Sequence, residues 1–302
     1  MKNFFHLKFL GLALIVFLIP FLSTAQQQSN SLTIGLIADI QYADKPSKGT
    51  RFYRESLSKL DHCVETLNTH KTNFNIVFGD LVDEGPKDLK PIEDRLNQLD
   101  SAHYTILGNH DYPSSHEDLE IHKKFGMPSS YYSILRNDWL FIFLNSNELS
   151  EYAIYNDPKQ EKALQEMMST LKSNQRKNAT SYNGGISKKQ LKFLIHQLEL
   201  AKKNHKKVIV CTHHPLFPEN GLEALNNREI LEILQKATHV KAVLAGHHHS
   251  GNYALYKDLP IITLEGMVET EKENAFGILE LQEKTMNIQG FGKLTSRTIT
   301  YR

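Results

Sequence analysis

The chain has 302 residues, 40% of them apolar and 23% charged, with 35 basic against 34 acidic residues for a formal net charge of +1. That composition is ordinary for a globular protein of one large domain or two small ones. The even charge balance gives no electrostatic case for binding nucleic acid or an anionic membrane surface. The compositional oddity is 15 histidines, since histidine is the commonest metal ligand and proton carrier near neutral pH.

In chain order, the N-terminus reads as a secretory signal. Lys2 and Lys8 supply a positive start, 9–22 is almost wholly apolar with Pro20 near its end, and Ser23-Thr24-Ala25 offers small residues at the cleavage positions. The apolar run is short for a membrane span, which needs roughly 20 residues. No cysteine follows it to carry a lipid, and no later stretch is long enough to cross a bilayer. The expectation is a signal peptide over 1–25, a single mature domain over 26–302, export to periplasm or medium, and no membrane anchor after cleavage. Cys63 and Cys211 do not make a disulfide framework, and Cys211, inside Val208-Ile209-Val210-Cys211, reads as a buried thiol.

Short runs rich in Ile, Val and Leu at 32–38, 74–78, 104–107, 208–211 and 240–245 read as strands buried on both faces. Between them, 52–67, 91–99, 188–203 and 227–236 have helical spacing. This alternation predicts an α/β domain with strands sandwiched between helices. Further strands at 131–135 and 139–144 flank Arg136-Asn137-Asp138, which suits a hairpin turn. A polar helix is expected over 158–172 and a loop over 178–185. Four more strands are expected near Tyr253 and Ile261 and over 276–281 and 285–288.

Five of the apolar strands run into metal-ligand residue types. Leu36-Ile37-Ala38 meets Asp39 and Gln41. Val77-Phe78-Gly79 meets Asp80 and Asp83. Ile106-Leu107-Gly108 meets Asn109, His110 and Asp111. Val210-Cys211-Thr212 meets His213 and His214, and Leu244-Ala245-Gly246 meets His247, His248 and His249. In α/β sheets ligands bind beyond the carboxyl ends of strands, so five such ends converge on one site. Gly79, Gly108 and Gly246 stand just before candidate ligands, where a residue without Cβ lets the backbone come close. Each piece alone has a bland reading as a cap, a turn or a surface histidine. Five together, in order, do not.

The set Asp-x-Gln, Gly-Asp-x-x-Asp, Gly-Asn-His-Asp, Thr-His-His-Pro and Gly-His-x-His resembles the motifs of the calcineurin-like metallophosphoesterases over essentially the whole mature chain. The resemblance implies a four-layer αββα sandwich, two mixed sheets flanked by helices. It implies two divalent ions, one held by Asp39, Gln41, Asp80 and His249, the other by Asp80, Asn109, His213 and His247, with Asp80 bridging. His110 becomes the proton donor beside them. Such a metal pair activates a water and neutralises an in-line phosphoryl transition state. Asp111 is expected to orient the His110 imidazole or support the site from behind. Asp83 reads as an acceptor behind the ligands or as a simple structural hydrogen-bonder, with the structural reading preferred.

The family commonly has His where this chain has Gln41. Asp-Ile-Gln41-Tyr-Ala-Asp44 is instead similar to the manganese-dependent ADP-ribose/CDP-alcohol diphosphatase branch. So are 49–57 (Gly-Thr-Arg-Phe-Tyr-Arg-Glu-Ser-Leu), Asn183-Gly184-Gly185, and 265–270 (Glu-Gly-Met-Val-Glu-Thr) followed by Asn274-Ala-Phe-Gly277. The amide oxygen of Gln41 is harder than an imidazole nitrogen and favours Mn²⁺ or Mg²⁺ over Zn²⁺. The implied substrate is a small nucleotide diphosphate, cut at its pyrophosphate bond. Arg51, Tyr53 and Arg54 read either as phosphate and base contacts or as the solvated start of a helix. A phosphomonoesterase or cyclic-nucleotide phosphodiesterase on the same fold is the enzymatic alternative. A binding scaffold without catalysis is the other, against which the intact ligand set argues. The leader reading predicts that mass analysis of the exported protein finds a chain beginning near Gln26. An intact Met1 in that fraction would contradict it.

Overall fold

The computed structural model describes Met1, residues 31–114 and residues 120–301. The expected leader and its cleavage point therefore lie, Met1 apart, outside the described residues. Among the described residues no helix is long and apolar enough to cross a membrane.

Two six-stranded mixed sheets face each other. The first contains β1 (Leu32–Ile37), β2 (Phe74–Phe78), β3 (His103–Ile106), β10 (Ala275–Leu281), β11 (Thr285–Gly292) and β12 (Arg297–Thr300) in the order β12-β11-β10-β1-β2-β3. The second contains β4 (Tyr132–Arg136), β5 (Trp139–Phe143), β6 (Lys207–Thr212), β7 (Val240–Ala245), β8 (Ser250–Tyr256) and β9 (Leu259–Glu265) in the order β4-β5-β6-β7-β9-β8. β1, β2 and β3 are mutually parallel, and so are β5, β6, β7 and β9. Five of these, β1, β2, β3, β6 and β7, run into the motifs, so the motif-bearing carboxyl ends within each sheet emerge on the same side.

The strand alternation decides the layers, because successive side chains point to opposite faces. On β5, Phe141 and Phe143 point into the cluster shared with the first sheet, while Leu140 and Ile142 point outward. α5 (Lys188–Lys203) and α6 (Asn227–Lys236) cover that outward face through Leu191, Leu194, Leu198, Ile230, Leu231 and Leu234. α1 (Ser56–Thr69) and α2 (Lys90–Leu96) cover the first sheet through Leu60, Val64, Leu67, Ile92 and Leu96. The result is the helix–sheet–sheet–helix sandwich. Phe74 of β2 and Phe141 of β5 meet edge to face between the sheets, ring centroids 5.1 Å apart. Such a pair adds about 0.5–1.5 kcal/mol beyond its buried area. Cys63 and Cys211 are both buried and free.

Two sequence expectations need correction. The first helix begins at Ser56, not at residue 52, because Phe52 N donates to Val268 O at 2.9 Å and Arg51 pairs with Glu269 in an isolated antiparallel bridge. That pairing holds residues 51 and 52 against 268–269, so the chain turns into the helix only after them. A fifth C-terminal strand, β12, pairs with β11 at the sheet edge. Its four residues, Arg-Thr-Ile-Thr, were too few to show a pattern. Among the described residues the two remaining α-helices are the short α3 (Ile121–Lys124) and α4 (Pro158–Ser173), the latter capped by Asp157. The β4–β5 hairpin turns through Asn137, whose φ of 51° suits its short polar side chain.

Candidate metal centre

Backbone bonds between loops draw the strand ends together. Asp39 N donates to Gly79 O, Gln41 N to Asp80 O, and Gly246 N to His213 O, at 3.2, 2.7 and 3.0 Å. Met267 N and Val268 N close the far side onto Ala38 O and Asp39 O, at 3.0 and 2.9 Å. Space is the reason for glycine here. A Cβ on Gly108 would stand 2.1 Å from Asp80 Oδ1, and one on Gly79 would stand 2.5 Å from Gly108 N. Asp39, Gln41, Asp80 and His247 all have positive φ, at 50, 47, 50 and 67°. Non-glycine residues in this region are uncommon and cluster at functional sites.

Two triads result, and they share a residue. Ligand atoms of Asp80, His213 and His247 all lie within 4.8 Å of one another, and so do those of Asp39, Asp80 and His249. Asn109 belongs with the first triad. Its Oδ1 is 3.2 Å from His213 Nε2 and 3.0 Å from His247 Nδ1.

The outer nitrogen of each imidazole is anchored, which decides the nitrogen turned inward. His213 Nδ1 donates to Phe78 O at 2.7 Å. His249 Nδ1 donates to Glu269 Oε1 at 2.8 Å, leaving Nε2 3.5 Å from Asp39 Oδ1. His247 Nε2 is 3.3 Å from Asn183 Oδ1. The Asn183 amide cannot be reversed, because its Nδ2 already donates to Asn178 O and Gly221 O, at 3.0 and 2.8 Å. His247 Nε2 is therefore the donor and Nδ1 the bare nitrogen. Outer partners of this kind are what metal-bound histidines have.

Two buried oxygens test whether a metal fits. Gln41 Oε1 and Asp80 Oδ2 have no hydrogen-bond partner. Leaving such groups unpaired is costly. Gln41 Nε2 donates to Asp83 Oδ1 at 2.5 Å, so the amide oxygen is turned away from Asp83. Imidazole nitrogens turned inward, an amide oxygen and a carboxylate oxygen facing one another are a cation's donor set. The residues present fit two divalent ions.

Charge tells the same story. Asp39 and Asp80 are buried to 0% exposure. Burial pulls the His213 imidazole down, but the Asp80 carboxylate more than reverses this and holds it up at about 9. Burial also opposes protonation of His249, yet Asp39 and Glu269 lift it to about 9. Buried negative charge here demands positive charge, and protons on histidine supply it when no metal does.

His110 stands at the rim. Its backbone N donates to Asp80 Oδ1 at 2.8 Å, and its Nδ1 lies 3.0 Å from Asp83 Oδ1. Nε2 faces the cleft, 3.4 Å from Arg51 Nη1. Burial lowers its proton affinity, but Asp80 and Asp83 outweigh that and raise it above the ordinary value. Asp83 thus corrects the sequence reading. Rather than a plain structural hydrogen-bonder, it accepts from Gln41, His110 and Lys45 together. Asp111 does not orient the imidazole. It accepts from Leu81 N, Val82 N and Gly108 N, at 2.7, 3.1 and 2.8 Å, and so staples the Asp80 loop to the Asn109 loop from behind.

The cleft above is a cavity of about 410 Å³ lined by Arg51, His110, Tyr182, Leu222, His248 and Glu269, among others. Arg51 reaches it. Tyr53 and Arg54 are not among its lining residues. Tyr53 is 3% exposed in a small cluster with Ala43 and Val268, and Arg54 pairs with Asp44 at 2.7 Å.

Sequence reasoning missed Asn183 and Glu269 as supports, although both lie in stretches quoted above for their family likeness. Lys59 was missed too. This buried lysine donates to the carbonyls of Met267, Glu269 and Thr270, and burial lowers it to about 8. It braces the segment that carries Glu269.

Comparison with known proteins gives consistent findings. The calcineurin-like phosphoesterase profile matches residues 32–251. The manganese-dependent ADP-ribose/CDP-alcohol diphosphatase of Xenopus laevis is 28% identical, covering 89% of this chain and 90% of that protein. Its Homo sapiens counterpart is 27% identical, covering 89% and 93%. A solved dimetal phosphatase from Danio rerio superposes with a TM-score of 0.79 at 24% identity, over 90% of this chain and 99% of that one.

The anchoring predicts that Asn183→Ala and Glu269→Ala each weaken Mn²⁺ binding by about 10- to 100-fold. Glu269→Gln, which keeps an acceptor for His249, should lose less. Titration calorimetry on variants with native circular dichroism checks this. Alanine variants that bind Mn²⁺ like the wild type would contradict it.

Proposed function

The chain belongs to the calcineurin-like phosphoesterase family, and from that footing we propose that it hydrolyses the pyrophosphate bond of nucleoside-diphosphate esters such as ADP-ribose or CDP-alcohols. It is a metallophosphoesterase, a hydrolase. The observation that carries the reading is the pair of ligand triads sharing Asp80, together with the unpartnered oxygens of Gln41 and Asp80.

In this reading Asp39, Gln41, Asp80 and His249 hold one ion, and Asp80, Asn109, His213 and His247 hold the other. Manganese is supported by the hard amide oxygen of Gln41 and by the manganese dependence named for the relatives. When bound, the two dications supply charge neutralisation on the phosphoryl oxygens and a more acidic water. The protein's own residues do the rest. Arg51, beside His110 in the cleft, neutralises a phosphate oxygen of the diphosphate. With His110 Nδ1 donating to Asp83, it is the imidazolium form, favoured by Asp80 and Asp83 against burial, that carries a second proton on Nε2 for the leaving oxygen. Water attacks phosphorus and gives up a proton, the bond to the bridging oxygen breaks, and that oxygen leaves on the second phosphate ester with the proton from His110, which the proton released by the water replaces through solvent.

The test uses purified mature protein with Mn²⁺ and ADP-ribose, products separated by chromatography, for wild type and His110→Ala. AMP and ribose 5-phosphate with little orthophosphate are expected. General acid–base help is typically worth about 10²–10⁴-fold. A phosphate leaving group needs little protonation, so the His110→Ala loss should fall near the lower end, about 10²-fold, with Mn²⁺ still bound. Orthophosphate as the main product would favour the phosphomonoesterase alternative.

A further inference from the structure

The cleft holds one large side chain that neither the ligand set nor His110 explains. Tyr182 is 46% exposed at its mouth, while Asn183, the next residue, is 1% exposed. The main chain beneath Tyr182 is fixed on several sides. His214 Nε2 donates to Tyr182 O at 3.2 Å. Its other ring nitrogen, Nδ1, faces Ser146 Oγ at 2.8 Å, so the ring is held at both ends. Asn183 grips His247 on one side and Asn178 and Gly221 on the other. Gly185 exchanges two backbone bonds with Leu149, and Leu225 N donates to Gly184 O at 2.8 Å. Gly184 lies so close to its neighbour that a Cβ would stand 2.3 Å from Ser146 O.

A rigid loop thus presents an aromatic ring to solvent beside a candidate metal ligand. The ring centroid lies 6.3 Å from that of His247. Leu222 and His248 line the same cavity, as does Arg51. The cavity therefore offers an aromatic face, an apolar side chain and a guanidinium, all next to the metal triads. Those groups match the parts of a nucleoside diphosphate: a base to stack and a diphosphate to neutralise.

We infer that Tyr182 is the stacking platform for the nucleobase of the substrate. The inference deepens the nucleoside-diphosphate reading and rests on it. Stacking on an aromatic ring is tolerant of base identity because every base has a π face. One tyrosine held in place by its backbone therefore serves adenine and cytosine alike, without a hydrogen-bonding pocket for either.

The experiment compares Mn²⁺-loaded wild type, Tyr182→Ala and Tyr182→Phe on ADP-ribose, on CDP-glycerol and on bis(p-nitrophenyl) phosphate, a diester with no nucleobase. Metal content is measured for each. Tyr182→Ala should raise KM for both nucleotides, with its loss of kcat/KM on them exceeding its loss on the diester by about 10- to 100-fold. Tyr182→Phe, which keeps the ring, should recover most of that loss. Equal losses on all three substrates would mean that Tyr182 only supports the loop, and an unchanged KM for both nucleotides would likewise overturn the platform. Wild-type enzyme that cleaves the diester but neither nucleotide would overturn the substrate reading, and the platform with it.

Discussion

Asp39 and Asp80 are wholly buried where the two sheets meet, and a buried carboxylate must have compensating charge. No lysine or arginine is hydrogen-bonded to either among the described residues. Their neighbours are backbone N–H groups and imidazoles: His247 N at 3.0 Å on Asp39, His110 N at 2.8 Å on Asp80, and His249 and His213 at 3.5 and 3.4 Å. A pair of dications satisfies this arrangement, and the rest of the site follows from holding them. Imidazoles must turn a bare nitrogen inward, so each needs an acceptor behind it. Phe78 O, Asn183 and Glu269 fill that role, and Lys59 and Asp111 brace the segments on which the supports and ligands stand.

The backbone bears part of the cost. Asp39, Gln41, Asp80 and His247 all sit in the left-handed region, where a side chain is disfavoured by of order 1–3 kcal/mol each. Such strain persists only where surrounding structure over-determines it. Here the zipped strand ends and the Asp111 staple do so. The glycines beside them act by leaving room: a Cβ at Gly108 would displace the Asp80 carboxylate itself.

How far this could be read in the sequence depends on the range of the interaction. Asp39, Asp80, Asn109, His213 and His247 were legible because each follows an apolar strand, and parallel strands deliver their carboxyl ends to one side. The layers were legible from the same runs. Glu269 and Asn183 were quoted in the stretches that carried the family likeness, yet no role could be read for them. Each is a short polar residue in a loop, and its partner lies 20 or 64 positions away. Asp83 was misjudged for the same reason, since the Gln41 amide that it accepts is 42 positions away. The true start of α1 was hidden because the bonds that delay it come from Val268 and Glu269, far along the chain.

The central claim is that Asp80 bridges two ions and that Gln41 belongs to one of them. Diffraction at the manganese absorption edge from crystals grown with Mn²⁺ tests it most directly. The account predicts two anomalous peaks per chain, with Asp80 touching both, Gln41 Oε1 and His249 Nε2 on the first, and Asn109 Oδ1, His213 Nε2 and His247 Nδ1 on the second. A single peak, or two peaks with Gln41 turned away from both, would contradict it.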